Sequence, residues 1–99
     1  MSARIDIPYA EIAAFCQRHP IRRLALFGSV LRDDFRPDSD VDVLVDYEPG
    51  VPVGFFSFVE MQCELSEILG REVDLNTLGF LSGRIRQKVI NTAQVIYER

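Results

Sequence analysis

The sequence predicts one small α/β or α+β domain spanning residues 1–99, with helices packed on a small, possibly mixed β-sheet in the order α-β-α-β-α-β-α. Three observations lead there. Helix-like and strand-like patterns alternate along the chain, as in layered sheet–helix domains. Leu24-Ala25-Leu26-Phe27 is an unbroken apolar run, typical of a strand covered on both faces. Val41 to Tyr47 alternates apolar and polar residues with a period of two. The chain has 99 residues, of which 47% are hydrophobic and 10% aromatic, enough to build a core and too many for a disordered segment.

The elements follow from local signals. Pro8 suits the first turn of a helix, and Ile12, Phe15 and Cys16 recur on one face of it. His19-Pro20 ends that helix, because the residue before a proline disfavours helical geometry. Ile21 to Phe27 reads as a strand, broken by Gly28-Ser29, and Val30 to about Phe35 as a short helix. Arg36-Pro37-Asp38-Ser39 is a turn. In the strand Val41 to Tyr47, the valines and Tyr47 face one way and Asp42, Leu44 and Asp46 the other. Glu48 to Gly54, with two prolines and two glycines, is a loop. Phe55 to Leu69 is an amphipathic helix turning Phe58, Met61, Leu65, Ile68 and Leu69 inward, with Gly70 at its C-terminal cap. Glu72 to Asn76 is a third strand, and Ser82 caps a helix from Gly83 to about Thr92. Ala93 to Glu98 forms a last short strand or extended tail. Neither Gly50 nor Pro52 settles the strand directions.

Composition narrows the function classes. No stretch approaches the roughly 18 apolar residues of a membrane span, and the N-terminus has no apolar signal segment, so a soluble cytoplasmic protein is expected. Cys16 and Cys63 are too few for a disulfide scaffold or zinc site and read as small buried hydrophobes. Residues 33–74 carry twelve acids against two bases, whereas residues 80–99 carry four bases against one acid. An acidic centre is a poor phosphate-backbone binder but suits a divalent cation, so direct nucleic-acid binding is not expected. Lys88 is the only lysine.

Four features converge on a site. Phe27-Gly28-Ser29 passes from a buried strand into the expected helix, whose unpaired N–H groups suit phosphate, with Arg32 on the same face. Asp40-Val41-Asp42 sets two carboxylates on one strand face, about 6.5–7 Å apart along the chain. Their repulsion becomes attraction when a divalent metal binds, and Mg²⁺ typically combines one or two carboxylates with substrate phosphates. Asp74 joins them if its strand neighbours Val41–Tyr47. Three carboxylates around one or two metal ions suit phosphoryl or nucleotidyl transfer. The fourth feature is spacing: ten residues separate Gly28-Ser29 from Asp40. Other motifs fail. Val43 and Pro49 stand where a calcium-binding EF-hand loop needs Gly and Glu, no Gly-x-x-x-x-Gly-Lys-Ser/Thr is present, and His19 has no companion histidine.

The string Gly28-Ser29, ten residues, Asp40-Val41-Asp42, with a later Asp74, resembles the signature of the minimal nucleotidyltransferases of the DNA polymerase β superfamily. The likeness runs from about Leu24 to Asp74, and residues 85–97 look like that family's C-terminal helix and short strand. It implies a polymerase-β-like core in which Gly28 and Ser29, with Arg32 and Ser39, bind the nucleotide. It also implies that Asp40, Asp42 and Asp74 bind Mg²⁺ and perform catalysis, Asp74 acting as or near the general base. The residues themselves explain Asp38 and Ser39 only as a turn delivering Asp40.

Many members of the superfamily carry a second, acceptor-gripping domain; from 99 residues a single domain without one is expected. Small stand-alone members resemble the MntA-type antitoxins of HEPN/MNT toxin–antitoxin systems. That resemblance implies AMP transfer from ATP to a tyrosine hydroxyl of a HEPN ribonuclease toxin, within a hetero-oligomer or, for the chain alone, a homo-oligomer. Val51, Val53, Phe55 and Phe56 offer a docking surface or else core packing. Arg84 and Lys88 share a helix face that meets an acidic partner, the triphosphate or only solvent. The alternatives are a non-catalytic antitoxin acting by stoichiometric occlusion, and nucleotidyl transfer to a small molecule or RNA.

Overall fold

The structure, a computed structural model, describes residues 5–32, 35–36 and 38–99. Its elements are α1 (Tyr9–Arg18), β1 (Ile21–Phe27), a 3₁₀ turn (Gly28–Leu31), β2 (Val41–Tyr47), α2 (Phe55–Leu69), β3 (Val73–Asn76), a second 3₁₀ turn (Leu78–Phe80), α3 (Gly83–Thr92) and β4 (Gln94–Glu98). The sheet order is β3-β2-β1-β4. It is mixed: β1 pairs antiparallel with β2 and with β4, while β2 and β3 run parallel. The parallel pair needs a crossover, and α2 supplies it. A helix of 15 residues is about 22 Å long at 1.5 Å per residue, enough to carry the chain back along the sheet.

Strand alternation divides the core between the two sheet faces. Val41, Val43 and Val45 of β2, Leu24 and Leu26 of β1, and Val73 and Leu75 of β3 face α1 and α2, meeting Ile12, Phe15, Cys16, Met61 and Leu65. Phe58, Ile68 and Leu69 of α2 pack partly buried against this core, as its helical spacing predicts. On the opposite face Ala25, Phe27 and Leu44 form a smaller cluster with Val89 of α3. That second face is the one bearing Asp42 and Asp74.

The edge strand β3 is fixed from the side by α2. Ser66 Oγ accepts the Val73 N–H at 3.1 Å and Gln62 Oε1 accepts the Leu75 N–H at 2.9 Å. Gly70, at φ +67°, ends α2 in the left-handed geometry that glycine adopts freely. Elsewhere Glu64 of α2 bridges to α1: burial raises its pKa, but hydrogen bonds from His19 and Arg18 outweigh this and hold it below the usual range.

Three expectations are corrected. The segment after β1 is not a helix from Val30 to Phe35 but a single 3₁₀ turn over Gly28–Leu31, after which Arg32 is extended at φ −110°, ψ 159°. Burial of Val30 and Leu31 anchors the turn, and the extended backbone at Arg32 ends it before the chain enters β2, antiparallel to β1. Asp33, Asp34 and Pro37 lie outside the described residues. Ser82 occupies the N-cap of α3 without a side-chain capping bond; its carbonyl instead accepts the Arg86 N–H at 2.8 Å. Cys63 is exposed, whereas Cys16 is buried as expected. Cys63 lies about 200° around the helix from buried Met61, on the opposite side.

Burial pushes the Cys16 thiol up to about 12, against a weaker opposing pull from Arg99. The native protein is therefore expected to present one reactive thiol, Cys63. An aromatic disulfide reagent should titrate one sulfhydryl rapidly and the second only on unfolding.

Candidate active site

Sheet register gathers the acidic residues. Asp42, the second residue of β2, stands opposite Phe27 in antiparallel β1 and opposite Asp74 in parallel β3. Neighbouring strands lie about 4.8 Å apart and paired residues share a face, so the Asp42 and Asp74 side chains rise side by side. Asp40 precedes the strand and is exposed at its mouth.

The electrostatics report this crowding. Burial raises the Asp42 pKa first, the charges of Asp74 and then Asp40 raise it further, and Arg32 opposes them. Partial desolvation beside like charges disfavours the ionised carboxylate, and a bound cation removes that frustration. The donors are hard carboxylate oxygens, which fit Mg²⁺ in chemistry. Among the described residues no three His, Cys, Asp or Glu side chains already stand as a metal-holding group. A magnesium ion here would draw its remaining ligands from substrate phosphates and water, its usual habit.

Gly28 makes the close approach possible. Its φ is +76°, and a Cβ built on it would lie 2.3 Å from Asp42 Oδ2. Glycine suits the backbone geometry here, and a side chain in its place would have to push the Asp42 carboxylate aside. The turn that follows has only four residues, so it carries no helix macrodipole of consequence; what it offers an anion is its first N–H donors and the Ser29 hydroxyl. This corrects the expected helix start. Ser29 also anchors the turn through its carbonyl, which accepts the Arg32 N–H at 2.9 Å. Ser39 closes the next turn: its Oγ accepts the Arg36 N–H at 3.2 Å and its own N–H donates to the Arg36 carbonyl at 3.0 Å. It delivers Asp40 to the strand and does not line the cavity.

A cavity of about 590 Å³ opens beside Asp42, within the range of small-ligand sites. Phe27, Gly28, Leu31, Arg32 and Asp42 form one side, and Ile85, Lys88, Val89 and Thr92 of α3 the other. Of this α3 wall the sequence singles out Lys88, paired with Arg84, which does not line the cavity; Ile85, Val89 and Thr92 complete it at the three- and four-residue spacing of one helix face. Sequence reasoning missed Gln62 and Ser66, which hold the strand bearing Asp74; lone polar residues on an amphipathic helix give no signal of such contacts.

The nucleotidyltransferase domain family matches residues 12–96. The protein adenylyltransferase MntA of Thermococcus cleftensis is 36% identical over 81 residues, covering 82% of this chain and 78% of its own. The solved structure of a minimal nucleotidyltransferase has a TM-score of 0.71 at 33% identity, covering 86% of this chain and 85% of that one. A toxin–antitoxin crystal structure with AMP-PNP reaches a TM-score of 0.74 over 94% of this chain and 75% of that one, at 20% identity, a likeness of fold.

Two outcomes are expected in thermal unfolding. Asp42→Asn should raise the Tm of the metal-free protein at neutral pH by about 2–4 °C, a small gain because the group is partly solvated. Gly28→Ala should lower it, costing about 1–2 kcal/mol from the positive φ and the displaced Asp42 carboxylate.

Proposed function

The chain belongs to the nucleotidyltransferase domain family and is an enzyme of that class, and on that premise we propose that it transfers AMP from ATP to a tyrosine hydroxyl of a HEPN-type toxin, with Mg²⁺, and so acts as an antitoxin. The carrying observation is the pairing of Asp42 with Asp74, with Asp42 and Gly28 lining a nucleotide-sized cavity. The adenylyltransferase name of the Thermococcus relative and the AMP-PNP in a toxin–antitoxin structure of the same fold support the choice of ATP and of a protein acceptor.

In this mechanism the phosphates lie against the Gly28-Ser29 turn with Arg32 beside them. Asp40, Asp42 and Asp74 would hold magnesium. The bound ion would neutralise phosphate charge and favour departure of pyrophosphate. Asp74 takes the proton of the acceptor hydroxyl as its oxygen attacks the α-phosphorus. The new oxygen–phosphorus bond replaces the bond to the β-phosphate oxygen, and pyrophosphate leaves. Ser29 supplies a hydroxyl donor to the nucleotide, while Ser39 sets Asp40 in place.

A second surface favours a protein acceptor over a small one. Phe55 and Phe56 at the start of α2 are 68% and 85% exposed, and Val51 and Val59 are exposed near them. Val53, by contrast, packs partly buried against the core. The patch follows the far end of β2, about 16 Å from Asp42 at 3.3 Å per residue. An acceptor that touches both would be macromolecular, and adjoining exposed aromatics commonly mark such contacts.

Intact-mass measurement tests the reading. Mixed with a HEPN partner and Mg-ATP, the chain should add one or more AMP masses to that partner. Asp40→Asn and Asp42→Asn should each cut the rate by about 100-fold or more while the fold survives. Neutralisation of the partner without ATP and without a mass change would establish occlusion instead.

A further inference from the structure

The wall of the cavity contributed by α3 has no part in the mechanism above. We propose that Lys88 is a nucleotide-contacting residue whose ammonium binds the β- and γ-phosphates, the portion of ATP that departs as pyrophosphate. This rests on the functional reading just given and adds a residue to it.

The geometry separates Lys88 from its neighbours. Lys88 lines the cavity with Ile85, Val89 and Thr92, across from Gly28, Arg32 and Asp42, whereas Arg84 does not. Arg84 and Lys88 carry the same charge and differ by about 40° around the helix axis, enough to turn one toward the cavity and the other aside. The helix itself is held firmly. Val89 inserts among Ala25, Phe27 and Leu44, and the Arg86 guanidinium donates to the carbonyls of Leu78 at 3.1 Å and Leu81 at 3.3 Å.

Charge supplies the second argument. The carboxylate end of the site is anionic and repels a polyphosphate wherever no metal intervenes. The part of the substrate beyond the metal therefore needs cations from the protein. Among the charged residues lining the cavity, two are basic, Arg32 and Lys88, and one is acidic, Asp42. Arg22, Arg23 and Arg99 are committed to Asp46, Glu98 and Glu48. Among the described residues the Lys88 ammonium has no hydrogen bond or ion pair. A compact charge on a flexible stem can follow phosphates as they move away from the α-phosphorus. Ile85, half exposed beside the cavity, gives the base or ribose an apolar surface.

Direct ATP binding to the full chain, measured by calorimetry with Mg²⁺, tests this without any acceptor. Lys88→Gln should weaken ATP binding about tenfold, the scale of one charge-assisted contact. Lys88→Arg should restore it to within about threefold of the unsubstituted protein, and Arg84→Gln should leave it within about twofold. Unchanged Tm values would confirm that the exposed substitutions do not disturb folding. The assignment is overturned if Lys88→Gln binds ATP as the unsubstituted protein does, if Lys88→Arg is no better than Lys88→Gln, or if Arg84→Gln loses as much. Loss of the Lys88 effect alone leaves the proposed function standing. A protein that binds no ATP at all removes both.

Discussion

The close approach of the Asp42 carboxylate to the backbone of Gly28 constrains the whole acid-bearing face. It requires β1 and β2 to be antiparallel in a register that sets Phe27 opposite Asp42, so that the next residue of the chain lies beside the acid. It places at that position a residue at positive φ, with no side chain to displace the acid. The chain must then reverse, and the short 3₁₀ turn does this by burying Val30 and Leu31. Asp42 is held in a half-buried place that its charge disfavours, and Asp74 and Asp40 make that worse. Strain of this kind persists in folded proteins mainly where function uses it.

Much of this was legible in the sequence, because strand and helix boundaries here coincide with strong local signals. The uninterrupted apolar run ending at Gly28 marks β1, and the alternation from Val41 to Tyr47 marks β2 with its acids on one face. Gly70 ends α2 where a left-handed residue is needed. The segment after Gly28 misled because Val30, Leu31 and Phe35 fit a helical spacing, yet a return into an antiparallel neighbour is a tertiary demand that local spacing does not encode. Cys63 misled because the apolar stripe of α2 is narrower than its composition suggests. The side-by-side placement of Asp42 and Asp74 depends on a parallel pairing of β2 with β3, which no residue in the intervening loop announces.

The linear segregation of charge takes on meaning only in three dimensions. Acids predominate in residues 33–74 and bases in residues 80–99, and Asp42 and Lys88 are remote in sequence. The fold brings α3 over the sheet face that carries Asp42. One cavity is thereby given the Asp42 carboxylate on its sheet side and the Lys88 ammonium on its helix side, the pairing of opposite charges that a metal-chelated polyphosphate itself presents.

The two borders of the sheet are unequal. At the β3 border, alternate amides of the backbone are already spoken for by Ser66 and Gln62, so a foreign chain finds no continuous ladder to extend. Any assembly that grows by strand addition is left with the β4 border, and the acid-bearing strand stays clear of such joining.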